Sequence, residues 1–223
     1  MSRLLPWILA ASSGVLLGLC YPPTDLGNLI WIALIPLAWA VWFTKPAPRR
    51  EWLRHAKLGY FCGLFFFPMG AFWLSELTWP GYILLTLYFS FYTAGWAVFA
   101  GLLKTSEADF SSPWLSSIHN LRVCALGAAG WTAMEWLRGV IFPAFGWNGL
   151  GIAQHANIPL IQIADVTGVG GISFLIAMAN LMFAATIKRV SLELGKGARR
   201  AHLDFAFTIA LVALVWTYGV RQL

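Results

Sequence analysis

Residues 166–187 read VTGVGGISFLIAMANLMFAATI and are followed at once by Lys188-Arg189. The stretch carries no charge and lacks the strict polar–apolar alternation of a barrel strand. About 20 apolar residues in a helix cross a hydrocarbon core of about 30 Å. In lipid, every backbone N–H and C=O needs a partner within the protein, so an open strand is excluded and a helix is the reading. The basic pair at its end marks where such a span meets water.

Working outward, six more apolar stretches repeat the pattern, giving candidate spans at 4–20, 26–43, 58–75, 81–103, 121–142, 166–187 and 203–220. The composition agrees. Of 223 residues, 59% are hydrophobic and 11% charged, against about 45–50% and about 25% in soluble domains. A soluble globular chain and a disordered one are both excluded. The expected fold is all-α: one polytopic transmembrane helical bundle over 1–223 with about seven spans, and no repeat or linker marks a second domain.

The net charge of +6 could suggest nucleic acid, but the positions of the basic residues argue otherwise. With the N-terminus inside, the inner segments hold Arg3, then Lys45, Arg49, Arg50, Arg54 and Lys57, then Lys104 and Arg122, then Lys188, Arg189, Lys196, Arg199 and Arg200. Only Arg138 and Arg221 fall outside. Thirteen against two follows the positive-inside rule, with the N-terminus cytoplasmic and the C-terminus on the far side. Basic residues divided among separate loops form no nucleic-acid groove.

Residues 143–165 are mildly apolar, but a crossing there would carry the basic residues from Lys188 to Arg200 outside. The segment also holds Asn148, Gln154, His155, Asn157, Gln162 and Asp165, which are expensive to bury in lipid. It reads as an external loop or a re-entrant segment. The first stretch reads as an uncleaved helix, since Leu19 before Cys20 is too large for a lipoprotein cleavage box.

Candidate functional residues concentrate on the outer side. Glu135 and Arg138 lie three apart on one helix face. Ionisable groups inside a membrane segment are functional candidates by default, although a structural ion pair fits as well. Trp147 and Asn148 follow a Pro143 break. They belong either to an aromatic belt or to a wall holding a lipid chain or a second domain. Gln154 and Gln162, with Asp25, Glu76, His155 and Asp165, complete an outer polar patch. His55, His119 and His202 read as water-facing in inner loops. Cys20, Cys62 and Cys124 read as small buried hydrophobes. No spacing supports a metal site, a cofactor or a disulfide framework. The glycines at 168, 170 and 171 read as close-packing residues at a helix start, and Ser173 has no base near it in sequence.

Four motifs then occur in order: Glu135-Trp136-Leu137-Arg138-Gly139, Phe145-Gly146-Trp147-Asn148, Gln162-Ile163-Ala164-Asp165-Val166-Thr167-Gly168 and Gly171-Ile172-Ser173-Phe174-Leu175, with Tyr21-Pro22-Pro23 upstream. The series resembles the membrane portion of apolipoprotein N-acyltransferases, multi-pass enzymes of the bacterial inner membrane. Asn148 departs from the apolar residue that relatives often carry there. The resemblance implies transfer of an acyl chain from a phospholipid to the N-terminal amine of a diacylglyceryl-cysteine lipoprotein. It also implies that the chemistry belongs to a periplasmic nitrilase-like domain with a Glu-Lys-Cys triad, following the seventh helix. The chain stops at Leu223, so the expectation is a truncated or split form with no catalytic residue of its own and no activity alone. All five lysines fall inside, which leaves none to join such a triad outside. A small transporter and a non-enzymatic membrane scaffold are the alternative readings.

Overall fold

A computed structural model describes residues 3–44, 50–103, 113–196 and 202–223. Lys45, Arg49, Lys104, Arg199 and Arg200, among the basic residues assigned to inner loops, lie outside the described residues. Every regular element described is helical: α1 (Leu5–Leu19), α2 (Ile30–Ala33), α3 (Ile35–Trp42), α4 (Glu51–Gly70), α5 (Trp79–Leu102), α6 (Pro113–Val140), α7 (Ile158–Ile161), α8 (Ala164–Lys196) and α9 (Leu203–Gln222). Among the described residues, three helices are long and apolar enough to cross a membrane: Trp79–Leu102, Ala164–Gly195 and Leu203–Gln222. α1 and the run Gly27–Trp42 are apolar but shorter. α4 and α6 match the long helices in length and carry charge, Glu51, Arg54 and Lys57 in one, Arg122, Glu135 and Arg138 in the other.

Small residues bring the helices together. α1 lies on α4, α4 on α5, and α6 on α8. Gly14 and Gly18 of α1 face Phe65 and Met69 of α4, and a Cβ at Gly63 would sit 2.7 Å from the Ser90 Cα of α5. Without a hydrophobic drive between helices in lipid, such backbone approach supplies the packing. The core between them is filled by Leu17, Ile30, Leu37, Phe66, Phe89 and Trp96.

The stretch 26–43, expected as one helix, is broken. A 3-10 turn (Gly27–Leu29) leads into α2, and α3 begins only at Ile35. Pro36 has no N–H and its ring crowds the preceding turn. The gap is filled from α8. The buried Asn180 accepts from Leu34 N at 2.9 Å and donates to Ile30 O at 2.9 Å. One amide thus replaces a missing helical bond on both sides.

Other boundaries shift for local reasons. α8 starts at Ala164 and bends at Gly168, which takes φ +65° with open space around its Cβ position. Glycine is needed there for its backbone freedom, whereas close packing falls to Gly151, Gly171 and Gly219. Within 143–165, a 3-10 turn (Leu150–Gln154) packs on α8 and the single turn α7 packs on α9.

Two readings of polar residues are corrected. His55 does not face water; it is buried in α4 with its ring against Gly101. His119 and His202 are half-buried, the latter 3.3 Å from Glu193. Arg189 sits within α8, 2.5 Å from the fully buried Asp204 of α9. Asn120 of α6 also reaches that carboxylate, at 3.3 Å, so one buried acid joins three helices.

Replacing Asn180 by leucine would orphan the Leu34 N–H and the Ile30 C=O in an apolar interior. Each orphaned group costs about 1–3 kcal/mol. Asn180→Leu is expected to lower the unfolding temperature in detergent clearly more than Asn180→Asp, which keeps the acceptor for Leu34. Equal melting of both variants would refute the wedge role.

Candidate functional site at the Glu135 face of α6

Glu135 stands one turn beyond Trp131 on α6, and the indole Nε1 donates to its Oε1 at 2.6 Å. The same oxygen accepts from Leu150 N at 2.8 Å. The chain reaches that position because Asn148 adopts the left-handed region, φ +60°, which asparagine tolerates better than most residues. Gly149 then passes over the carboxylate, and a Cβ there would lie 3.1 Å from Oε2. The buried Ser173 hydroxyl of α8 accepts from Gly151 N at 2.9 Å. From the end of α1, Tyr21 donates to Gly149 O at 2.9 Å. Burial first, and the Glu135 charge second, hold the Tyr21 phenol well above its ordinary range. It therefore remains a neutral donor.

Arg138 does not pair with Glu135. It is 3% exposed, with its guanidinium carbon 5.2 Å from the Phe67 ring centroid and 5.8 Å from that of Phe89. Aromatic faces attract a cation in this range. Its Nη1 and both amide atoms of Asn148, itself 2% exposed, have no hydrogen-bond partner. Arg138, Asn148 and Glu135 together line a cavity of about 20 Å³ walled by Phe66, Phe67 and Trp96. That volume admits one water-sized group.

Around this centre the 142–149 loop presents aromatic rings. Phe145 stacks on Phe89 at 5.1 Å and on Trp73 at 6.3 Å. Trp147 lies 5.8 Å from Trp73 and remains 53% exposed. The face combines a fixed polar anchor, a buried guanidinium and an exposed aromatic rim.

Of the residues singled out in the sequence, Glu135, Arg138 and Asn148 converge here and Trp147 forms the rim. Gln154 belongs to a neighbouring group. It is buried, donates to Gly27 O at 2.8 Å and accepts from Trp31 Nε1 at 3.2 Å. Beside it His155 lies 3.5 Å from Asp25, at an open groove of about 450 Å³. Gln162 joins neither group and bonds its own helical turn at Ile158 O. Tyr21, Trp131 and Ser173 were not read as site residues. Tyr21 lay in a quoted motif, and Ser173 meets the Gly151 N–H only through the fold. Among the described residues, no three His, Cys, Asp or Glu side chains gather as a metal-ligand set.

The profile of the apolipoprotein N-acyltransferase N-terminal domain matches residues 13–182. An apolipoprotein N-acyltransferase of Geobacter metallireducens is 32% identical over 97% of this chain and 40% of its own length. Apolipoprotein N-acyltransferase 2 of Treponema pallidum is 30% identical over 82% of this chain and 31% of its own length. The chain thus spans two fifths or less of these relatives.

Glu135→Ala would leave the Trp131 and Leu150 N–H groups unpaired, at a cost of roughly 2–6 kcal/mol in total. Glu135→Gln keeps an acceptor oxygen and is expected to lose about half as much. Thermal unfolding in detergent, together with protease cleavage within 142–149, would check both. A Glu135→Ala chain as stable and as resistant as wild type would remove the anchor role.

Proposed function

Because the chain belongs to the apolipoprotein N-acyltransferase family, as its N-terminal portion, we propose that it is the membrane-embedded part of such an enzyme in the bacterial inner membrane. It crosses that membrane about seven times, from a cytoplasmic N-terminus to a periplasmic C-terminus, with 143–165 on the periplasmic side. The family match over residues 13–182 carries this reading. The three long apolar helices support it.

The reaction served is acyl transfer from a phospholipid to the N-terminal amine of a diacylglyceryl-cysteine lipoprotein. The acyl-carrying thiol is contributed from outside these 223 residues, by a nitrilase-like unit. The geometry of the cysteines supports that division. Cys20, Cys62 and Cys124 are all buried and free, so none presents sulfur to a lipid carbonyl. The Glu135 anchor holds the 142–149 loop, whose aromatic rim gives an acyl chain or the catalytic unit a firm apolar wall.

The purified chain incubated with radiolabelled phospholipid is expected to trap no acyl-thioester. A stable acyl group on Cys20, Cys62 or Cys124 by mass spectrometry would overturn the proposed division of labour. Solute flux in vesicles that disappears in Glu135→Ala would instead favour a transporter.

A further inference from the structure

On the flank formed by α1, α4 and α5, a groove of about 370 Å³ runs between Trp7, Lys57, Tyr60, Phe61, Phe91 and Ala94. Its walls are braced. Trp7 meets Phe61 edge-on at 5.4 Å, and Tyr60 lies 4.9 Å from Phe91. Its depth comes from small side chains, Ala56 and Ala94. Lys57, Tyr60 and Phe61 are spaced i, i+3 and i+4 and share one face of α4.

The groove has one charged lining residue and no acidic one. Lys57 is exposed, and among the described residues it has no ion-pair or hydrogen-bond partner. α1 and α4 run side by side in parallel, Gly14 level with Phe65 and Gly18 with Met69. That register brings exposed Arg3, just ahead of α1, to the same end as Lys57. This is the end that the basic residues assign to the cytoplasmic leaflet, where anionic lipids attract Lys and Arg beside a membrane helix.

We propose that the groove is a binding site for one anionic glycerophospholipid of the inner leaflet. An acyl chain lies along Trp7, Phe61 and Phe91, and the phosphate sits at the Lys57 ammonium. Tyr60 borders the headgroup end of the groove. The site is distinct from the Glu135 face, and it rests on the membrane reading of α4 and α5. A zwitterionic lipid offers the same chains and phosphate but no net charge, so the discrimination is that of one exposed lysine, about fivefold.

The test places the purified chain in nanodiscs holding equal amounts of phosphatidylglycerol and phosphatidylcholine. Native mass spectrometry after mild extraction then counts which lipid stays. Phosphatidylglycerol is expected to be retained about fivefold over phosphatidylcholine, and millimolar inorganic phosphate is expected not to displace it. Lys57→Gln should bring the ratio near one, and Ala56→Phe, which fills the groove, should reduce retention of both lipids. Equal retention by wild type, displacement by phosphate, an unchanged ratio in Lys57→Gln or full retention in Ala56→Phe would each overturn the proposal. Alkaline carbonate extraction separates the two levels. A chain released from membranes refutes the membrane reading and the site with it, whereas an integrated chain without lipid preference refutes the site alone.

Discussion

The hydrogen bond from the Leu150 N–H to the Glu135 carboxylate is the joint on which the end of the bundle where α1 and α6 finish depends. A chain leaving a helix among apolar neighbours must place each backbone donor on some acceptor, and here the acceptor is a side chain on α6. Once Leu150 is tied down, Gly149 lies within reach of the Tyr21 hydroxyl and Gly151 within reach of Ser173. α1, α6, α8 and the 142–154 segment are therefore held around one carboxylate. The aromatic rim of Phe145 and Trp147 inherits its position from that joint.

The same requirement explains the other buried polar groups. Asn180 fills a helix break that Pro36 imposes, and Asp204 pairs with Arg189 while accepting from Asn120. In each case one side chain on a long helix repairs or secures another element. Arg138 obeys a different rule. Its charge sits against the faces of Phe67 and Phe89, beside a small cavity, with Nη1 unpartnered. The family match makes this polar interior of interest beyond stability, because the face it supports is the one proposed to meet the catalytic unit.

Much of the helical layout was legible as apolar stretches, since hydropathy and length act locally. The break in 26–43 was signalled by Pro36, but its repair by a residue nearly 150 positions away was not. Glu135, Arg138 and Asn148 were recognisable as polar residues in an apolar setting. Their mutual arrangement was not: i, i+3 spacing suggested a direct ion pair, whereas the two groups line one small cavity with the guanidinium over the Phe67 and Phe89 rings. His55 shows the opposite error. Its charged neighbours Arg54 and Lys57 made it look solvated, yet helical rotation turns it inward against Gly101.

By itself the sequence determined that this is an apolar, helical chain, and its ordered motifs determined the family. Those properties follow from composition, periodicity and residue identity, which neighbouring positions already contain. Only the tertiary structure decided which donors meet Glu135, which amide closes the α2–α3 gap, and that the Arg138 guanidinium lies over two aromatic rings. Hydrogen bonds act over about 3 Å between residues distant in sequence, so their partners exist only once the helices have packed.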